Sequence, residues 1–231
     1  MTPETLPWER IRWVLLDMDG TLLDLRFDEH FWQELVPRRW AQRRGLDLPT
    51  ARRLLGPRFR RVEGTLAWYC LDHWARELGL DLAALKREVA HLIAFHPEAP
   101  AFLEALGKAG KRRWLVTNAH RDSLALKLER TRLAERVDEV LCAHDLGLPK
   151  EEPAFWERLR RRLPFEPEAT LLLDDNPAVL ASARRYGIAH LRLVLGPGRQ
   201  PPATLPPGVA WVRGFAPLMP PRSGAGAGAE A

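Results

Sequence analysis

Short, unbroken apolar runs recur along the chain, and each ends in a polar cluster: WVLLDMDG at 13–20, RWLVTNA at 113–119, EVLCAHD at 139–145, TLLLDDN at 170–176 and AHLRLVL at 189–195. Apolar character without alternation is the pattern of a strand covered on both faces, as in a parallel sheet. Between the later runs the apolar positions change to helical spacing. This happens over 97–108, with Phe102, Leu103 and Leu106 inward, and again over 120–130, 152–163 and 177–186. Strand and helix alternate, which predicts an α/β fold: a Rossmann-like, doubly wound parallel sheet with helices on both faces.

The stretch 25–96 breaks the alternation, because it contains no strand pattern. Leu66, Cys70, Trp74 and Leu78 repeat every four residues, as do Phe27, Phe31 and Leu35, and Leu82, Leu85, Val89 and Ile93 continue the theme. The spacing predicts a helical insertion of about 70 residues after the first strand. Pro37 should kink or end its first helix, and Gly79 with Asp81 should mark a break and a fresh start. From Gly196 onward proline and glycine dominate. The chain thus divides into an α/β core (1–24 and 97–195), a helical cap (25–96) and a tail (196–231). The tail is expected to be partly disordered, with Trp211 and Phe215 docking loosely.

A chain of 231 residues with 46% apolar and 28% charged side chains has core material for one catalytic domain plus an insertion, which excludes global disorder. No apolar run approaches the roughly 18 residues of a membrane span. The N-terminus carries acids, and an arginine interrupts its apolar part, unlike a signal peptide, so a cytoplasmic address is expected. Cys70 and Cys142 lie far apart without metal-ligand spacing and read as reduced thiols with no assigned role. The net charge of +5 rests on 30 arginines and only 5 lysines, and between Arg38 and Arg61 nine arginines face one acid, Asp47. Such a patch would attract a polyanion. Solvated helix faces account for it better, and no zinc-finger or RNP signature supports a nucleic-acid partner.

The candidate chemistry gathers at strand ends, where open α/β sheets bind ligands. Asp17 and Asp19 of DMDGT, two apart where a strand unwinds, suit a hard cation plus a phosphate, one carboxylate attacking while the other moves a proton. Asp and Gly are equally at home in a plain turn. Three further strand ends add Thr117 with Asn118, Lys150, and Asp174 with Asp175. Singly, Thr117 reads as a cap, Lys150 as a surface lysine and the aspartate pair as a helix cap. Two adjacent buried carboxylates nonetheless repel unless a cation compensates. The ordered set is what points to metal-assisted phosphoryl transfer.

That order, DMDGT, then Thr117, Lys150 and the DD pair, with a helical insertion between the first two, resembles the haloacid dehalogenase-like superfamily of phosphohydrolases. Within it, VLLDMDGTLLDL, FDEHFWQELVP, TLAWYCLDHWARELGLD and LVTNAH with LALKLE look similar to bacterial GMP/IMP nucleotidases. The resemblance implies that Asp17 is the nucleophile, Asp19 the general acid and base, Thr117 and Asn118 phosphate holders, and Lys150 the neutralising cation. It implies Mg²⁺ on Asp17, the Asp19 carbonyl and Asp175, with Asp174 behind them. The substrate implied is a small phosphate ester, a purine nucleoside 5'-monophosphate, and no membrane partner is expected.

Two positions depart from the superfamily pattern: Glu151 stands where proline often follows the lysine, and Asn176, Pro177 and Ala178 stand where another acid often follows the fourth motif. The presence of Asp19 argues against dehalogenation, which has no alkoxide to protonate. Phosphonate cleavage would need a cap lysine, and nothing in the sequence places the one available, Lys86, near substrate. A sugar-phosphate or phosphoglycolate phosphatase, a phosphomutase, and a non-catalytic phosphate- or nucleic-acid-binding protein are the alternatives. Substrate contacts are expected among Phe27, Trp32, Arg60, Trp68, Tyr69, His73 and Trp74, most of which should simply pack the cap.

Overall fold

The computed structural model describes residues 5–221. The first strand, β1 (Trp13–Leu16), is followed by cap helices α1 (Arg26–His30), α2 (Val36–Arg44), α3 (Leu48–Arg61), α4 (Leu66–Tyr69), α5 (Leu71–Leu78) and α6 (Leu82–Glu88). The core resumes with α7 (Ala99–Lys108), β2 (Arg112–Thr117), α8 (Arg121–Thr131), β3 (Glu139–Cys142), α9 (Ala143–Leu146) and α10 (Pro153–Arg162). It ends with β4 (Thr170–Asp174), α11 (Pro177–Tyr186), β5 (His190–Leu195) and β6 (Ala210–Arg213). The strands form one all-parallel sheet in the order β3-β2-β1-β4-β5-β6. The order reverses beside β1, and the crevice that opens at such a switch point lies at the carboxyl ends of the strands.

Each face of the sheet has its own core. Val14, Leu16 and Leu173 pack with Phe102, Leu103 and Leu106 on one side, and Leu15, Val116 and Leu172 pack with Phe155, Trp156 and Leu180 on the other. Alternate residues of β1 and β4 thus serve opposite cores, which explains why these strands read as unbroken apolar runs. A third cluster, with Phe27, Phe31, Trp40 and Trp74, holds the cap together.

Three expectations are corrected. Pro37 does not end the first cap helix. The chain widens into a π-helical turn over Phe31–Leu35 and continues as α2, a register that tolerates a residue without an N–H. The four-residue repeat from Leu66 to Leu78 is not one helix, because Cys70 adopts extended backbone (φ −84°, ψ 111°) between α4 and α5. Leu66 packs against the α/β core instead of the cap cluster.

The segment from Gly196 to Pro221 is no loose tail. Ala210–Arg213 extends the sheet in parallel with β5, and Val212, Phe215 and Leu218 are buried in the core. Phe215 stacks on Phe102 at 4.8 Å, and the N–H groups of Phe215 and Ala216 donate to Glu98 Oε2 at 2.6 and 2.8 Å. Trp211 and Met219 stay exposed. A four-residue strand between proline-rich stretches is too short to show a period, and its anchor Glu98 lies more than 110 residues away. The residues 222–231, with the low-complexity SGAGAGAEA, lie outside the described residues.

The arginine-rich stretch decorates the cap's outer face: Arg44 and Arg58 lie over the Trp40 ring, and Arg39 pairs with Glu88. Among the described residues no helix is long and apolar enough to cross a membrane.

Candidate active site

The seven residues singled out at strand ends, Asp17, Asp19, Thr117, Asn118, Lys150, Asp174 and Asp175, come together around one small cavity of about 90 Å³. Pairing of β1 with β2 and β4 sets this up, because Leu16 lies level with Leu115 and Leu173, so the polar residues that follow emerge side by side. Gly20, at φ +83°, turns the chain away after Asp19, and its N–H donates to Leu23 O at 2.8 Å. A Cβ on Gly20 would stand 2.2 Å from Asp175 Oδ2, so the close approach of that carboxylate requires glycine.

Lys150 is the buried centre of the site. Its ammonium donates to Asp17 Oδ1 at 2.5 Å, to Asp174 Oδ2 at 2.7 Å and to Val116 O at 3.1 Å, using all three of its protons. Burial alone would push its pKa down, but the two carboxylates win and raise it, so it stays charged. The carboxylates outnumber it. Asp17, Asp174 and Asp175 each place an oxygen within 4.8 Å of the others, and Asp17 Oδ2 is buried without a hydrogen-bond partner. Burial, with Asp17 opposing ionisation, raises Asp174 to about 7 and lifts Asp175 well above the ordinary carboxylate range. An orphaned buried oxygen among three close carboxylates and one ammonium fits a hard divalent cation. Asp174 is already engaged, by Lys150 and by the N–H of Asn176 at 2.9 Å, whereas Asp175 pairs with Arg199 at the longer distance of 3.9 Å.

Asp19 is held differently. Lys127, buried in α8, bridges Asp19 Oδ1 and Asp28 Oδ2 of the cap, both at 2.6 Å, and Lys86 reaches Asp28 Oδ1 at 3.0 Å. Burial raises the Asp19 pKa to about 6 against the pull of Lys127. Burial acts on Asp28 in the same sense, but Lys127 and Lys86 outweigh it and hold Asp28 at about 2. Two carboxylates on one ammonium therefore have separated roles, one permanently charged and one able to exchange a proton near neutrality.

Thr117 is buried, and its Oγ1 accepts the Ala119 N–H at 3.0 Å, while the cap of α8 is His120. The Asn118 side chain is committed to the lysine loop, its Oδ1 accepting from Lys150 N and its Nδ2 donating to Glu151 Oε2, both at 2.9 Å. The two departures from the superfamily pattern meet here. Glu151 Oε1 accepts from Asn176 Nδ2 at 3.2 Å and from the Tyr69 hydroxyl of the cap at 2.5 Å. Burial, reinforced by Glu151, raises the tyrosine pKa, so Tyr69 remains a donor that ties cap to core.

The small cavity adjoins a larger one of about 610 Å³ beneath the cap, both being bordered by Asp19, Tyr69 and Asp175. Trp32, Phe59, Trp68 and Trp74 line the larger space, whereas Phe27, Arg60 and His73 do not. Lys86, which nothing in the sequence placed near a substrate, also lines it, held over the rings of Phe27 and Phe31 at 4.6 and 4.5 Å. So does Arg199, from the segment expected to be tail, which pairs with Glu29 of the cap at 3.0 Å and is fixed through its carbonyl by Arg213 at 2.8 Å. The sequence pattern did not reveal Lys127, Asp28 or Arg199. The available signal for Lys127 was a single lysine among leucines in LALKLE.

The fold and site together define the class. Residues 11–187 match the haloacid dehalogenase-like hydrolase family, and the chain belongs to it. It is an enzyme, a phosphoric monoester hydrolase. The chain is 41% identical over 192 residues to the GMP/IMP nucleotidase YrfG of Escherichia coli K12, covering 83% of this chain and 86% of that protein. It is also 29% identical to a phosphoglycolate phosphatase of Rhodospirillum rubrum over 130 residues, about half of each chain. A haloacid dehalogenase-like phosphatase from Thermococcus onnurineus shares the fold, with a TM-score of 0.75 over 89% of this chain and 94% of that one, at 21% identity.

Proposed function

We propose that this enzyme hydrolyses purine nucleoside 5'-monophosphates, GMP and IMP foremost, through a phosphoaspartate. The observation that carries the reading is the joined pair of cavities: a small charged one sized for a phosphoryl group, opening into an aromatic one within the usual range for small-molecule sites. A flat purine stacks well on Trp32, Trp68 or Trp74. The identity to a GMP/IMP nucleotidase over most of both chains supports the substrate class.

In this reading Asp17 attacks phosphorus as the ester P–O bond breaks, and Asp19 passes its proton to the departing 5'-oxygen. The Asp19 carboxylate then takes a proton from water, whose oxygen attacks phosphorus and breaks the bond to Asp17. Thr117 holds a phosphoryl oxygen, and Lys150 aims Asp17 and offsets the phosphoryl charge. Asp17, Asp175 and the Asp19 carbonyl would hold Mg²⁺, which supplies charge to the phosphoryl oxygens when bound. A pKa near 6 lets Asp19 serve in both half-reactions.

The leaving group tests this assignment. Asp19→Asn should lower turnover of GMP by about 10²- to 10⁴-fold, and that of p-nitrophenyl phosphate far less, because nitrophenolate departs without a proton. Rapid quenching with phosphorus-labelled p-nitrophenyl phosphate should show label on the protein, and none once Asp17 is replaced. Equal losses for both substrates, or an unlabelled chain, would refute the proton role or the covalent step respectively.

A further inference from the structure

Beyond the carboxylate site, three ligand-type side chains that are remote in sequence converge where the cap meets the core. Cys70 stands between α4 and α5, His120 follows β2, and His144 follows β3, and their ligand atoms all lie within 4.8 Å of one another. Separations of 50 and 24 residues hide the set from any motif search. The side chains are prepared for a ligand in several ways. His144 Nε2 is buried without a hydrogen-bond partner, while its Nδ1 faces Cys142 Sγ at 3.7 Å. Its ring is edge-on to His120, with centroids 5.1 Å apart. Cys70 Sγ accepts the His73 N–H at 3.4 Å. A fourth ligand atom, an oxygen, is at hand, since Asp72 Oδ2 lies 3.6 Å from His120 Nε2.

We infer that Cys70, His120 and His144, with Asp72 or water in the fourth position, form a second metal site that takes a borderline-soft ion of the Zn²⁺ type and clamps the cap against the core. One sulfur and two imidazoles select such an ion over Mg²⁺, whereas the all-oxygen cluster of Asp17, Asp174 and Asp175 selects the hard cation. Bond lengths of about 2.3 Å to sulfur and 2.0 Å to nitrogen put tetrahedral ligand atoms roughly 3.3–3.7 Å apart. The three groups therefore close by about an ångström, within reach of side-chain rotation. The Cys70 proton leaves as the sulfur–metal bond forms. Cys70 and Asp72 belong to the cap and the two histidines to the core, so the bound ion resists whatever opening admits substrate or releases product.

The test uses the full chain, stripped by chelation and titrated with Co²⁺ in excess Mg²⁺. The expected result is one equivalent bound, with the visible spectrum of a four-coordinate ion and a thiolate charge-transfer band in the near ultraviolet. Cys70→Ser should lose the band and still fold, because serine also caps a helix start. His144→Gln, a second route to the same loss, should weaken binding by at least about tenfold. Asp17→Asn and Cys142→Ser should keep the band. Stoichiometric Zn²⁺ at saturating Mg²⁺ should slow wild-type turnover by about tenfold and leave Cys70→Ser unaffected. The spectroscopic arms do not depend on which phosphate ester is hydrolysed. Absence of the band, its survival in Cys70→Ser or its loss in Cys142→Ser would overturn the site. Equal inhibition of wild type and Cys70→Ser would overturn the clamp.

Discussion

Asp17→Asn should lower turnover by at least about 10⁴-fold while making the metal-free protein more stable. The two effects have one cause. Asp17 is the carboxylate with a buried, unpartnered oxygen, and its charge helps to push Asp174 and Asp175 above the ordinary range. A carboxylate whose folded pKa is raised stabilises the fold fully below the unfolded value of 3.8 and loses that contribution as pH rises, for Asp174 through about 7. The metal-free wild type is therefore penalised most on the alkaline side. Asparagine keeps the shape, accepts from Lys150 through its carbonyl oxygen and relieves the repulsion, so the gain in melting temperature should be largest above about pH 7. Phosphate release and thermal melting across pH check both halves. Turnover within tenfold of wild type would remove Asp17 from the attacking position, and a lower melting point above neutrality would contradict the electrostatic account.

Lys127→Met should be the second large effect. Lys127 is buried and holds Asp19 to Asp28, so its removal leaves two neighbouring carboxylates, of which only Asp28 retains another cation, Lys86. A cost of about 3 kcal/mol follows from stranding a buried charge. The sign with pH is set by Asp28. Its depressed pKa of about 2 contributes stability that is present above 3.8 and lost as pH falls through 2, so the deficit should show at neutral pH and shrink in acid. Lys127 also holds the Asp19 pKa down, so without it Asp19 should titrate above about 6 and the corresponding limb of the pH–rate profile should move to higher pH. Turnover should fall by about 10²-fold or more, since the proton-transferring group is both displaced and mistuned. An unmoved profile would make Lys127 structural only.

The lysines show how far the sequence could be read. In a chain with 30 arginines and 5 lysines, Lys86, Lys127 and Lys150 are all buried against carboxylates at or beside the site, and Lys111 donates to Trp8 O and Ile11 O. Lysine persists where a compact ammonium must meet partners from several directions, which a planar guanidinium does less well. That scarcity was visible, but only Lys150 stood at a strand end where position gave it meaning. Lys127 and Lys86 lie within helices, and a helix of unknown packing does not disclose which residue it turns toward another domain. The strands were legible because burial on both faces leaves an unbroken apolar run, and the site was legible because parallel strands bring their ends together. Arg199 and the β6 strand were not, since their anchors, Glu29 and Glu98, are distant in sequence and the segment carries no period. Glu151 and Asn176 were noticed as exceptions, and the hydrogen bond between them shows that the two exceptions belong together.

The proposed function is that of a Mg²⁺-dependent nucleotidase working through Asp17 beneath an aromatic cap. Its most direct test is phosphate release from purine and pyrimidine nucleoside 5'-monophosphates, sugar phosphates and phosphoglycolate, with Mg²⁺ or with chelator, against the Asp17→Asn protein as blank. The expected result is release that chelation abolishes and that favours GMP and IMP by at least about tenfold. Release that persists without the cation, or that favours a sugar phosphate or phosphoglycolate, would contradict it.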